Sequence, residues 1–403
     1  MAAAPEWQVL WEPAREDTAG TPRFSTLQKV VCTCNYVVLQ ILESVRSKVL
    51  TLHFDAEQSA WTSRCCGARR GRAASVSVRA VAASGDAVWF GDASYTQPPK
   101  LIYVPDIGSW SGKASQGAQL VRELPPLFAA KVEVEQLEAT SADGTQVPFQ
   151  CLRPSGAVDP PTLIYAYGGF GIPVLPGYKA TVGAAWLERG GQYVEAHIRG
   201  GGEFGPAWEA AGRGAAGRLR AYEDLEAIAD HLIAKGIAEP GRLGLFGRSN
   251  GGLLVANQVV REMASDAPRR FAAMVGEVPL TDMLRYHTLL AGASWLEEYG
   301  DPADDALYPQ LRQISAYHLA QDLLREQRAR RMPKVLFTTS TRDDRVHPCH
   351  ARKMAELLQS APDGSNVFLF EGDEGGHGGA AIFERAFVRT LEYEFLWSQL
   401  SRR

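Results

Sequence analysis

The sequence predicts an α/β protein in two unequal parts, an all-β segment followed by a larger segment built on a mostly parallel sheet. Three observations predict it. Short β-rich runs separated by Gly, Asp, Ser and Pro fill roughly the first 130 residues, at the spacing of antiparallel strands. Beyond them, apolar strand-like runs alternate with helical periods, the pattern of a parallel sheet covered by helices. One of those runs ends in Gly247-Arg248-Ser249-Asn250-Gly251-Gly252, directly before a helix-like run. We place the boundary between residues 1–129 and 130–403.

In the first part, residues 29–39, 48–54, 75–81, 87–90 and 100–104 read as strands. Cys32 and Cys34 fall in the first of these and would share one face of it. With Cys65-Cys66 they form a superficial four-ligand set, but a C-x-C inside a strand lacks the C-x-x-C knuckle that zinc sites use. No metal and no cofactor is therefore expected. Six Cys in 403 residues do not form a disulfide scaffold, and free thiols point to a reducing compartment, the cytoplasm.

The second part opens with residues 131–139, a strand running into the turn residues Ser141-Ala142-Asp143-Gly144-Thr145. Residues 193–198 read as another strand. Gly200-Gly201-Gly202-Glu203-Phe204-Gly205 follows it and satisfies G-x-G-x-x-G, with Glu223 and Asp224 about 20 residues on. A dinucleotide site needs a helix to begin inside that motif. Here Pro206, Gly212, Gly214 and Gly217 follow instead, so we expect a long irregular segment and read the loop as a wall of a cleft. Residues 221–233 carry the clearest helical period, with apolar side chains at 225, 228, 229, 232 and 233.

Residues 242–246 form a short buried-strand run and 253–260 a helical one. A Gly-x-Ser-x-Gly between them is a nucleophile elbow, in which a tight turn lifts the Ser hydroxyl out of the sheet. In an α/β-hydrolase the partners follow in the order acid, then His. Residues 334–340 read as a strand and end in the polar loop Thr341-Arg342-Asp343-Asp344-Arg345; residues 366–370 read as the next strand and end in a Gly-rich loop around His377. Of the eight His, His347 and His350 lie too close to the acid loop to arch over and reach a separate Ser, which leaves His377 as the base. Neutral Ser is a poor nucleophile, so a base must take its proton and later return it to the leaving group. A carboxylate then fixes the imidazole tautomer.

Composition sets the outer limits. Hydrophobic residues make up 45%, charged residues 22%, and the net charge is −4, as in an ordinary globular protein. Acids outnumber bases and the only basic cluster is Arg69-Arg70-Gly71-Arg72, so no nucleic-acid partner is expected. No run approaches the ~18 apolar residues of a membrane span, and no membrane partner is expected. Residues 1–7 lack the basic and apolar regions of a signal peptide.

From about residue 130 onward the chain resembles the catalytic domain of the prolyl oligopeptidase family. The motifs that carry the resemblance stand in family order: Tyr165-Ala166-Tyr167-Gly168-Gly169-Phe170, Arg199-Gly200-Gly201-Gly202-Glu203-Phe204-Gly205, the Ser249 elbow, Trp295 running to Tyr299-Gly300-Asp301, Asp343-Asp344-Arg345-Val346, and Gly376-His377-Gly378. The resemblance implies a serine peptidase acting on short peptides, with a β-propeller gating the cleft. It implies Ser249 as nucleophile, His377 as base and Asp343 as acid, with Asp344 its exposed neighbour. It implies an oxyanion hole from the Asn250 N–H and the Tyr167 hydroxyl. Trp295 and Phe170 resemble the aromatic pocket for a proline ring, and Arg345 resembles the residue that holds a substrate carbonyl.

The departure from that family lies at the front. A propeller blade takes roughly 40 to 50 residues, so the N-terminal part has room for two or three blades, a partial β-propeller. Its open strand edges invite pairing. The expected activity is hydrolysis of short peptides after proline; the alternatives are an esterase or broader acyl hydrolase using the same residues, or a poorly active shortened product or binding module.

Overall fold

The computed structural model describes residues 8–13, 25–66, 74–110, 117–377 and 382–401. The basic cluster at 69–72 and the N-terminal residues 1–7 lie outside these. The chain forms two compact units: Met1–Leu127 with the short segments Leu175–Ala180 and Glu203–Gly205, and the remainder.

Within the first unit, strands β1 (Ser25–Cys32), β2 (Val37–Glu43), β3 (Arg46–Asp55) and β4 (Ala60–Cys66) form one antiparallel meander. Strands β5 (Ala74–Val81), β6 (Val88–Ser94), β7 (Lys100–Val104) and β8 (Gln119–Glu123) form a second. Both have the shape of propeller blades. They share a core in which Val38, Val49 and Cys66 of the first sheet meet Val78, Phe90, Ile102 and Val104 of the second. The Asp86 carboxylate accepts hydrogen bonds from the Thr33 hydroxyl (2.7 Å) and the Asn35 main-chain N–H (2.8 Å), pinning the β1–β2 turn to the β5–β6 turn.

Residues 29–39, expected as one strand, are instead the two arms of a hairpin. The chain reverses at Thr33-Cys34-Asn35-Tyr36, where the Thr33 N–H donates to the Tyr36 carbonyl at 2.9 Å. Cys34 therefore sits in a turn and does not share a strand face with Cys32. All six Cys are free thiols. Among the described residues, no group of His, Cys, Asp and Glu is arranged to hold a metal, and no helix is long and apolar enough to cross a membrane.

The second unit is built on strands β9 (Val132–Thr140), β10 (Gln146–Pro154), β11 (Thr162–Ala166), β12 (Gln192–Ala196), β13 (Leu243–Arg248), β14 (Ala273–Glu277), β15 (Lys334–Ser340) and β16 (Val367–Gly372). Their order in the sheet is β16-β15-β14-β13-β11-β12-β10-β9. From β12 to β16 every neighbouring pair is parallel, whereas β10 runs antiparallel to both β9 and β12. The six strands β11 to β16 therefore deliver their C-terminal ends to one edge. After β11 the chain goes to β12 on one side and later returns to β13 on the other, so β11 and β13 flank a topological switch point. In open α/β sheets that crevice is where ligands bind.

Two glycines of β13 show how the sheet is covered. A Cβ on Gly244 would meet Leu400 Cδ1 at 2.5 Å, whereas one on Gly247 would meet the Gly251 carbonyl at 2.2 Å. Positions 244 and 247 face opposite sides of a strand. The helices Ile382–Leu400 and Asn250–Ala264 thus cover opposite faces of the central strand.

The irregular segment expected after the Gly-rich loop is helical instead. A short helix, Pro206–Ala211, precedes a long one, Gly214–Ala234. Its glycines serve close packing: a Cβ on Gly212 would meet the Gly200 nitrogen at 2.3 Å, and one on Gly217 the Gly212 main chain at 2.5 Å. Glycine needed for a close approach is indistinguishable, in sequence, from glycine that breaks a helix.

Candidate active site

Three strand ends assemble the site. β13 ends at Arg248 and the chain turns at once into the helix Asn250–Ala264, leaving Ser249 at φ 57° and ψ −114°. A non-glycine residue at positive φ costs about 1–3 kcal/mol and persists only where its surroundings enforce it. Here they do. The Ser249 N–H donates to the Glu277 carbonyl at 2.9 Å, and the Ser249 carbonyl accepts from Leu253 at 3.0 Å. A Cβ on Gly251 would meet the Ala166 carbonyl at 2.6 Å, and one on Gly252 the Pro279 Cα at 2.7 Å. Only glycine fits at these positions, and the Ser249 side chain is left partly exposed above the sheet edge.

Asp343 follows β15 and His377 follows β16, on the same edge. His377 Nε2 lies 3.2 Å from Ser249 Oγ, and His377 Nδ1 lies 2.8 Å from Asp343 Oδ2. Both Asp343 and His377 are buried. The other carboxylate oxygen, Asp343 Oδ1, accepts the N–H groups of Arg345 (2.9 Å) and Val346 (2.8 Å). With both oxygens engaged, this carboxylate has its orientation fixed. Asp344 is exposed, as expected, but it also grips the His377 main chain: its Oδ1 accepts the His377 N–H at 2.9 Å. That bond from His377 holds the Asp344 carboxyl below its ordinary range.

The other two histidines are engaged elsewhere. His350 is fully buried, accepts main-chain N–H groups of Thr281 and Asp282 at 3.2 Å, and is pushed down to about 4 by that burial. The Nδ1 of His347 accepts the Cys349 N–H at 3.1 Å.

Tyr167 directly follows β11 and faces the elbow across the switch point. The Asn250 side-chain amide donates to the Tyr167 carbonyl at 2.6 Å, and its oxygen accepts the Tyr299 hydroxyl at 3.0 Å. The Asn250 N–H opens a helix and belongs to the group of donors without an intrahelical partner. Burial raises the Tyr167 phenol against the opposing pull of the Arg218 and Arg345 charges, so it stays a protonated donor.

The loop carrying Tyr167 is held by a clamp that the sequence did not reveal. Arg218 and Glu298, both buried, form an ion pair. Arg218 also donates to the Gly168 carbonyl, and Glu298 accepts the Phe170 N–H at 2.7 Å. The partners lie 80 residues apart in sequence. Only the surrounding Trp295-to-Asp301 motif hinted at Glu298.

The remaining expected site residues are less tightly joined. Phe170 stands edge-on to Tyr299, with ring centroids 5.6 Å apart at 89°. Trp295 is buried at the end of the 3₁₀ segment Leu290–Trp295, and among the described residues no ring contact joins it to Phe170. Arg345 is exposed, and its guanidinium makes no ion pair with its neighbouring acids among the described residues.

The Gly-rich loop has a structural use. The Gly171 N–H donates to the Gly200 carbonyl at 3.1 Å, and a Cβ on Gly202 would meet the Gly171 carbonyl at 2.2 Å. Asp224, one of the acids about 20 residues on, is buried against Arg199, with Oδ1 and Nη2 2.6 Å apart. Its carboxylate is occupied by that pair.

A parallel sheet with a serine elbow at its switch point, and His and Asp loops on the same edge, defines a protein of the α/β-hydrolase class. The Prolyl oligopeptidase family matches over residues 179–403. Among curated relatives, an uncharacterised peptidase, y4nA, of Sinorhizobium fredii is 38% identical over 91% of this chain and 48% of its own length. A prolyl endopeptidase of Elizabethkingia miricola is 33% identical over 64% of this chain and 36% of its own. A solved post-proline cleaving enzyme from Rickettsia typhi superposes with a TM-score of 0.80 at 27% identity, covering 98% of this chain and 53% of that one. The chain belongs to the prolyl oligopeptidase family. It spans about half the length of these relatives or less.

Proposed function

We propose that this chain is a serine peptidase that hydrolyses short peptides on the carboxyl side of proline through an acyl-enzyme. One observation carries the reading: the His377 ring is hydrogen-bonded to Ser249 Oγ through Nε2 and to Asp343 through Nδ1. Asp343 fixes the tautomer that leaves Nε2 free to accept the Ser249 proton. Ser249 Oγ attacks the scissile carbonyl carbon. The oxyanion that develops is met by the Asn250 N–H and the Tyr167 hydroxyl, which lie on opposite sides of the switch point. His377 then protonates the leaving amine, and water, activated by the same imidazole, releases the acid.

Trp295 and Phe170 offer flat apolar faces to a pyrrolidine ring, which needs burial and no hydrogen bond. The exposed guanidinium of Arg345 is free to donate to a substrate carbonyl. The chain's similarity to a prolyl endopeptidase and to a post-proline cleaving enzyme favours this substrate class. We assign residues 1–129 as blades of a partial propeller and 130–403 as the catalytic domain. The test compares a fluorogenic Pro-amide peptide with a p-nitrophenyl ester. Faster turnover of the peptide supports the peptidase; hydrolysis of the ester alone replaces it with an acyl hydrolase.

A further inference from the structure

The residue before the nucleophile in a serine elbow has no fixed chemistry, yet here it is an arginine built into a relay. Arg248 Nε lies 3.1 Å from Glu277 Oε1. From the same guanidinium, Nη2 donates to the main-chain carbonyl of His377. Glu277 is itself the residue whose carbonyl receives the Ser249 N–H. Its carboxylate is held from the far side by Arg389, at 2.8 and 3.0 Å, and Arg389 pairs in turn with Glu392 at 2.8 Å.

Every polar group of His377 is thereby engaged. Its N–H meets Asp344, its carbonyl meets Arg248, and its two ring nitrogens meet Asp343 and Ser249. These hydrogen bonds fix the ring's position from four directions. A cavity of about 830 Å³ lined by Arg248, Glu277, Arg389 and His377 lies beside this loop.

We propose that Arg248, anchored by Glu277, is a positioning residue that sets the His377 imidazole against Ser249 and refers the histidine loop to the nucleophile's own main-chain partner. It does not touch substrate. A guanidinium suits this task because its planar fork donates to two acceptors at once, whereas a lysine ammonium is a single point donor on a flexible stem. The inference rests on the Ser249–His377–Asp343 reading above.

The test uses the full chain with a fluorophosphonate probe and a Pro-amide peptide, on S249A, R248A, R248K and E277Q. Misplacing a catalytic group by about 1 Å costs on the order of 100-fold in rate. We expect R248A to lose ~10- to 100-fold in labelling rate and in kcat, with KM within about threefold of wild type. R248K keeps the charge and is the control if R248A does not fold; it should lose at least ~5-fold in kcat. E277Q should lose kcat in the same direction. If S249A still labels, the reading of the site fails. If S249A abolishes labelling while R248A and R248K label at the wild-type rate, or lose KM instead of kcat, only this inference falls.

Discussion

The side-chain amide of Asn250 donates to the main-chain carbonyl of Tyr167 at 2.6 Å. This single bond ties the residue after Ser249 to the loop on the other side of the switch point. The two proposed oxyanion donors, the Asn250 N–H and the Tyr167 hydroxyl, are thus held in register by one of their own side chains.

Tyr167→Phe keeps the ring and that bond but removes the hydroxyl. Losing one oxyanion donor typically costs ~100- to 1000-fold in kcat. We expect a loss in that range with little change in KM, measured with the Pro-amide substrate. A change confined to KM would make Tyr167 a substrate-packing residue.

Glu298→Ala strips the partner from buried Arg218 and removes the acceptor of the Phe170 N–H. Breaking a buried pair from one side costs about 3–5 kcal/mol. Thermal or urea unfolding should show a loss of this size, with kcat falling further than the fraction unfolded explains. A variant as stable as wild type would contradict the clamp.

Trp295→Ala should lower kcat/KM for the Pro-amide peptide by at least ~10-fold more than for the p-nitrophenyl ester, because removing an aromatic wall forfeits apolar burial worth over 1.4 kcal/mol. Equal losses on both substrates would assign Trp295 to the core.

Burial, and then the Glu277 carboxylate, push the Glu392 carboxyl up to about 8. Between the ordinary glutamate range and about 8, the folded state therefore keeps a proton that the unfolded chain has released. Stability falls as pH rises through that window. Glu392→Gln removes this dependence, so its Tm should exceed that of wild type at pH 8, and the gap should close toward pH 5. Parallel Tm–pH curves for the two proteins would contradict it.

Much of the site was legible because β13 and β15 are buried on both faces and read as unbroken apolar runs, and β16 is apolar too although Phe368 and Leu369 are exposed at the sheet edge. Residues 334–340 match β15 end to end, and the runs before Ser249 and His377 fall within a few residues of β13 and β16. Elements without such a signal were missed or misread. Strand β8 is exposed at every position, so nothing in its pattern alternates. The hairpin at 33–36 was hidden inside a continuous β-rich run, and the helix beginning at Gly214 was masked by glycines that packing requires. The supports of the site were the least visible. Arg218 and Glu298, and Arg248 with the His377 carbonyl, meet across 80 and 129 residues, and local pattern carries no trace of such pairs.

The most direct test of the central claim is active-site labelling with a fluorophosphonate probe. Wild-type protein should be labelled at one residue, Ser249, and Ser249→Ala should abolish labelling while leaving the Tm unchanged within a few degrees, as a small substitution at a partly exposed position should. Labelling that survives Ser249→Ala, or maps to another residue, would contradict the account.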